Sequence, residues 1–260
     1  GGGYTGLELG TVYAALGSRV TLVEAGPSLL PGVDPDLVKP LARGLQERFA
    51  AIHFETRVAR IEERESGVEV AFEGRGPDGK QRFDRILVAI GRRPNTDGLG
   101  LDTLGVPLDP RGLPDFDRHT PQIGDLPVYF TGDVNGELQV LHEASDEGFI
   151  AAFNALHGPA RFRRRVPLAI AFTNPQIAVV GLSWQALQGQ PFATGGFNFA
   201  QQARAMAMLR AAGQLHVYAE PGSGRLLGAE MCVPGAEHLG HLLALAVQRG
   251  MTVAELLTLP

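Results

Sequence analysis

Gly1-Gly2-Gly3-Tyr4-Thr5-Gly6-Leu7-Glu8-Leu9-Gly10 opens the chain, and the glycines at 1, 3 and 6 make a G-x-G-x-x-G pattern. At a strand-to-helix turn that spacing suits a dinucleotide pyrophosphate. The first glycine makes the tight turn and the second lets the backbone approach the phosphates. The third lets helix and strand pack closely, while the helix N-terminus faces the negative charge. With 34 glycines in 260 residues, about 0.6 such matches arise by chance. The neighbouring residues therefore decide the reading.

Leu7, Val12, Ala15 and Leu16 fall near one helical face after Gly6, and Gly17 is positioned to close the helix. Arg19 to Val23 then reads as a short buried strand ending on Glu24, eighteen residues past Gly6. The dinucleotide fold puts a carboxylate at that place, on the adenosine ribose 2′-OH. A carboxylate there repels a 2′-phosphate, so the expected ligand is NAD rather than NADP. The alternative is a glycine-rich loop followed by an ordinary surface glutamate. The strand feeding the turn would precede residue 1, and the chain opens on glycine without Met, so the sequence is read as cut at its N-terminus.

A length of 260 residues suits two modest domains or pieces of three. The net charge of −5 argues against nucleic acid as a main partner. Arg161 and Arg163 to Arg165 form the one basic cluster, read as a solvated linker. No apolar run approaches the length of a membrane span, about 18 residues, and no signal-peptide pattern is present, which leaves the cytoplasm as default compartment. A single cysteine, Cys232, allows no internal disulfide or cysteine-pair redox motif, and its apolar run makes it inert core.

Asp34-Pro35 supplies an N-cap and a first-turn proline for a helix with a Leu37, Leu41, Leu45 stripe ending near Phe49. Strands are expected at 52–61, 68–72 and 83–90, the last running into Gly91-Arg92-Arg93-Pro94. A glycine after a buried strand frees N–H groups at the sheet's carboxyl end, where ligands of open α/β sheets bind; a plain loop is the other reading. Val128 to Phe130 reads as a strand into Thr131-Gly132-Asp133, followed by a helix from about 139 to 156. Asp133 is then either a partner for a ribose or ribityl hydroxyl or a turn cap.

From Val166 the texture changes to five strands (168–172, 177–180, 192–199, 215–220 and 225–233). Helices follow at about 236–249 and from Thr252, the latter opened by a capping box. Met206 and Met208 read as packing residues. His238 and His241 lie one helical turn apart without a third ligand at metal spacing, so no metal site is expected.

Four segments carry a family resemblance: Gly1–Ser18, Ala89–Asn95 (AIGRRPN), Thr131–Val134 (TGDV) and Phe172–Gly181 (FTNPQIAVVG). In this order and spacing they resemble the flavoprotein disulfide reductases, or pyridine nucleotide-disulfide oxidoreductases, and within them the dihydrolipoyl dehydrogenase branch. The resemblance implies an α/β architecture in three parts. These are a Rossmann-like NAD-binding domain (1–94, first strand missing), the C-terminal portion of an FAD-binding domain (95–166), and an α+β dimerisation domain (167–260, C-terminus missing).

It also implies electron flow from a dithiol through a cysteine pair and FAD to NAD. Gly1, Gly2, Gly3, Tyr4, Thr5 and Gly6 would hold the NAD pyrophosphate and Glu24 the ribose. Val58 would face the adenine and Gly91 the nicotinamide half. Asp133 would bind FAD, and the Leu141 backbone N–H would meet the flavin ring, although the family's usual residue there is alanine. Glu8 would pair with an upstream lysine. A homodimer through 167–260 is implied, together with service to a lipoyl-bearing multienzyme complex. The cysteine pair and the family's His–Glu base lie outside the sequence, so no catalytic residue is assigned. An inactive NAD-binding or dimerisation module, a mercuric reductase and a transhydrogenase remain the alternatives. Glutathione reductase is disfavoured by Glu24.

Overall fold

The computed structural model describes residues 1–259 and divides them into two compact units, 1–91 with 166–259, and 92–165. The first unit opens with α1 (Tyr4–Ala15), β1 (Thr21–Val23), α2 (Pro35–Gln46) and β2 (Ala51–His53). Strands β1 and β2 pair in parallel, with Leu22 opposite Ile52. An antiparallel meander follows: β3 (Thr56–Arg64), β4 (Gly67–Gly74) and β5 (Lys80–Phe83). The second unit holds α3 (Leu141–His157) and irregular backbone.

After residue 166, the first unit resumes with β6 (Leu168–Ala171), β7 (Gln176–Gly181) and β8 (Ala193–Asn198). Then come α4 (Ala203–Ala207), β9 (Gln214–Ala219), β10 (Leu226–Val233), α5 (Ala236–Gln248) and α6 (Val253–Leu256). The five strands form one antiparallel sheet in the order β6-β7-β10-β9-β8. The central strand, β10, is almost wholly buried. Thr252 and Glu255 form the expected reciprocal capping box on α6.

One core joins the two stretches of this unit. Leu7, Leu22, Leu29, Leu30, Leu37, Leu41 and Leu45 pack in a cluster that also contains Ala171, Ile177 and Cys232. The α2 stripe is as the sequence predicts, with Leu37, Leu41 and Leu45 fully buried and the Asp34 side chain accepting the Asp36 N–H. The α1 face is not. Val12 and Leu16 are exposed, and the buried positions are Gly6, Leu7 and Gly10. This helix packs through missing side chains: a Cβ on Gly10 would lie 2.9 Å from Phe49 Cζ.

Other expectations are corrected by hydrogen bonding. The strand read over 52–61 breaks at Glu55, whose φ is +50°, and becomes β2 and β3. The strand read over 83–90 ends at Phe83. Residues 85–90 carry no ladder, and Ile86, Leu87, Val88 and Ile90 are exposed, because no strand among the described residues pairs with them. Val128–Phe130 forms one bridge, Gln122 to Tyr129, rather than a strand. Phe130 there joins Leu113 and Ile123 in the core of the second unit. Met206 and Met208 are about half exposed rather than packed.

A buried polar joint fastens α2 to the sheet. Glu230, fully buried on β10, accepts the Asp34 N–H at 2.6 Å and the Trp184 N–H at 2.7 Å. The Asp34 carboxylate lies 2.7 Å from His216 Nδ1 and accepts the Tyr218 hydroxyl at 3.1 Å. Burial outweighs the two backbone donors and raises the Glu230 pKa.

The packing of this core is testable at two residues. Burial pushes the Cys232 thiol up to about 12, so thiol reagents are expected to leave the native protein unlabelled and to modify it fully in denaturant. Native labelling would contradict the packing. A carboxyl with a raised native pKa keeps its proton to higher pH when folded than when unfolded. The Glu230 contribution is therefore most favourable below its unfolded pKa, about 4.3, and is lost as pH climbs through the native value. In urea melts from about pH 4 to about pH 8, the stability difference between wild type and Glu230→Gln should shrink as pH rises. A constant difference would show that Glu230 ionises normally.

Candidate functional site

The glycine turn assigns a separate steric role to each glycine. A Cβ on Gly1 would fall 2.1 Å from the Ala89 carbonyl oxygen, and one on Gly6 would fall 2.0 Å from the Gly1 carbonyl oxygen. Backbone thus stacks on backbone across Ala89, Gly1 and Gly6, with no room for a side chain. A Cβ on Gly3 would meet nothing within 4 Å. Gly3 is the N-cap of α1, and no side chain caps that helix. An uncapped helix start beside open space is what an anion site requires. Tyr4 and Thr5 form the exposed first turn of α1. Partial burial, together with the Glu230 and Glu8 charges, pushes the Tyr4 phenol up to about 12, so it stays protonated at neutral pH.

Glu24 stands at the turn's mouth. One carboxylate oxygen accepts the Gly2 N–H at 2.5 Å and the other accepts the Gly26 N–H at 2.6 Å. The Gly2 carbonyl accepts the Leu30 N–H at 2.9 Å, which folds the segment after β1 back over the turn. The Glu24 backbone continues the parallel ladder, with its N–H on His53 and its carbonyl accepting the Thr56 N–H. Strand β3 therefore starts beside Glu24. Val58, two residues further, is partly exposed where a bulge interrupts the β3–β4 register. Gly91 follows Ala89, the residue against Gly1, and has a φ of +123° with open space around it. Gly1 to Gly6, Glu24, Val58 and Gly91 all belong to the first unit. Glu8, expected to meet a lysine, accepts the Phe172 N–H at 2.9 Å.

Asp133 and Leu141 belong to the second unit. Asp133 lies in the single turn Gly132–Asn135, half exposed, and pairs with Arg92 at 2.6 Å. Arg92 also donates to the Gln139 carbonyl at 2.8 Å. Leu141 is the first residue of α3 and its side chain is almost fully exposed. Its N–H is among those without an acceptor inside the helix.

Sequence reasoning missed what holds this turn. Glu147 accepts the Gly132 N–H at 2.7 Å and the Asn135 Nδ2 at 2.8 Å. Arg164 is no solvated linker residue: its side chain is 12% exposed and 2.5 Å from Glu143. The available signal was charge matching, since Glu143, Asp146 and Glu147 share one helix face and the arginine run follows the helix. Among the described residues no group of three or more His, Cys, Asp or Glu could hold a metal ion. No helix among them is long and apolar enough to cross a membrane.

A glycine turn at a helix start, a parallel strand pair and an acid at the strand end are the features of dinucleotide-binding α/β folds. The model of pyridine nucleotide-disulphide oxidoreductases matches residues 1–148, and that of the family's dimerisation domain matches residues 167–259. The chain belongs to the pyridine nucleotide-disulphide oxidoreductases. It is 33% identical over 259 residues to the dihydrolipoyl dehydrogenase of Staphylococcus aureus, covering 98% of this chain and 55% of that one. With that of Thermus scotoductus it shares 35% over 260 residues, covering 98% and 56%. The chain thus spans about half the length of these relatives.

Among solved structures, LpdA of Mycobacterium tuberculosis superposes with a TM-score of 0.84 at 30% identity, covering 98% of this chain and 55% of LpdA. The HOCl-induced flavoprotein disulfide reductase RclA of Escherichia coli gives 0.83 at 26% identity, covering 98% of this chain and 58% of RclA.

The steric roles separate two variants. Gly6→Ala should destabilise the chain by about 1–3 kcal/mol or more, because its Cβ meets backbone that cannot swing aside. Gly3→Ala, at φ −83° and ψ −177° with open space, should stay within about 0.5 kcal/mol of wild type in urea unfolding. Equal losses would refute this division of roles.

Proposed function

We propose that this chain carries the NAD site, one edge of the FAD site and the dimer surface of a dihydrolipoyl dehydrogenase-like flavoprotein. In such a protein FAD and NAD supply the hydride chemistry, and the polypeptide supplies binding, orientation and electrostatics. The division follows the sequence motifs: 1–94 for NAD, 95–166 for part of the FAD domain and 167–260 for a homodimer contact. The sequence has one cysteine, so the dithiol-disulfide exchange of the proposed reaction belongs to residues outside it. A lipoyl-bearing complex is the proposed partner and the cytoplasm the proposed compartment.

One observation carries the NAD reading: the Glu24 carboxylate is fixed at the glycine turn by the Gly2 and Gly26 N–H groups. An ionised carboxylate has about four acceptor sites, so two backbone donors leave capacity for the two ribose hydroxyls. The same charge disfavours a 2′-phosphate. The uncapped α1 N-terminus and the empty space at Gly3 suit the pyrophosphate. Val58, on the strand that starts beside Glu24, and Gly91, two residues past Ala89, are assigned to the adenine and nicotinamide halves. Asp133 and the Leu141 N–H are assigned to FAD.

Titrating NADH and NADPH into the purified protein while following nicotinamide fluorescence tests this. NADH should bind more tightly. A preference for NADPH would overturn the role of Glu24, and no binding of either would favour a pure assembly module. Glu24→Ala should weaken NADH binding by about 1.5–3 kcal/mol, the worth of a charge-assisted contact. Unchanged affinity would remove Glu24 from the ribose.

A further inference from the structure

We infer that Arg164 is the positioning residue for the Gly132–Asn135 turn, acting through Glu147, and so aims Asp133; this rests on the reading of Asp133 as an FAD contact. Asp133 sits between two residues held by one carboxylate oxygen, since Glu147 Oε2 accepts both the Gly132 N–H and the Asn135 amide. Asn135 in turn accepts the Glu137 N–H at 2.9 Å, which extends the restraint past the turn. The other Glu147 oxygen faces Arg164 Nη2 at 3.3 Å. Glu147 is therefore a bridge with the arginine at one end and the turn at the other.

The charge balance makes Arg164 necessary to that bridge. Glu143, Asp146 and Glu147 are neighbouring acids on one buried face of α3, with side chains 6%, 12% and 8% exposed. Such neighbours repel, and a buried carboxylate without a cation takes up a proton. A protonated Glu147 would keep fewer acceptor sites for Gly132 and Asn135. Arg164 reaches all three acids: 2.5 Å to Glu143, 3.3 Å to Glu147, and 3.7 Å from Nε to Asp146. It also donates to the Arg118 carbonyl at 3.2 Å.

Of the other charged groups nearby, Arg165 pairs with Asp146 at 2.9 Å and so shares that one acid with Arg164, while Arg118 pairs with Glu137 at 3.2 Å and Arg92 with Asp133 itself. The backbone that delivers Arg164 is pinned as well, because Asn154 on α3 exchanges hydrogen bonds with Ala160 in both directions.

The test uses the full chain and the Gly132 amide as reporter, by NMR-detected hydrogen exchange. In wild type the amide should be protected. Arg164→Met should speed exchange about tenfold or more, and Arg164→Lys should restore most of the protection. Should Arg164→Met fail to fold, Glu147→Gln is the second variant. It keeps the volume, removes the charge and should likewise speed Gly132 exchange.

Intact protection in Arg164→Met, or an unaltered Glu147→Gln, would overturn the proposal. Asp133→Asn separates the two readings. It should leave Gly132 protected while weakening FAD binding, followed by flavin fluorescence. Unchanged FAD affinity with Gly132 still locked would sink the Asp133 assignment alone.

Discussion

Backbone touching backbone is the constraint on which the rest of the first unit depends. Ala89, Gly1 and Gly6 approach so closely that a Cβ at either glycine would fall about 2 Å from a carbonyl oxygen. That approach brings α1 down onto the sheet edge and lets Leu7 reach the shared core. It also leaves the helix start bare of side chains at Gly3. A larger residue at position 1 or 6 would lift the helix, and the turn would no longer sit beside Glu24.

How much of this is legible in the sequence depends on what each residue's conformation requires. Asp34-Pro35 and the Leu37, Leu41, Leu45 stripe specify α2 correctly, because capping and periodicity are local. Thr252 and Glu255 are legible for the same reason. Glu24 is found by spacing from the glycines, and its side chain does reach the turn. Periodicity misreads the α1 face because it assumes that burial is done by large side chains. Here glycines do it, and Val12 and Leu16 are left outside. The 85–90 segment misleads for a different reason. Its residue types favour a strand, yet a strand is a pairing, and composition does not supply the partner.

Polar joints are the least legible feature, since they link positions far apart in the chain. Asp34 and His216 lie 182 residues apart, and Asp34 and Glu230 lie 196 apart. Nothing local in Gly228 to Val233 distinguishes Glu230 from an outward-facing strand residue. Yet it is fully buried and its two oxygens join the start of α2 to the Trp184 segment. The apolar core and this joint together make residues 1–91 and 166–259 one unit.

One device recurs at three places. Glu24 takes the N–H groups of Gly2 and Gly26, Glu230 those of Asp34 and Trp184, and Glu147 those of Gly132 and the Asn135 amide. In each case one carboxylate gathers two donors that no regular ladder holds. The three differ in how their charge is balanced. Glu147 has Arg164 beside it. Glu230, fully buried, has its pKa raised by burial. Glu24 is only partly buried and lies at the mouth of an uncapped helix start, so water or a ligand hydroxyl can still reach it. Carboxylates held by two such donors are thus structural where they are sealed, and available for recognition where one face stays open. By that criterion Glu24 is the member of the set suited to hold a sugar, and Glu147 acts on a ligand only through the turn that it locks.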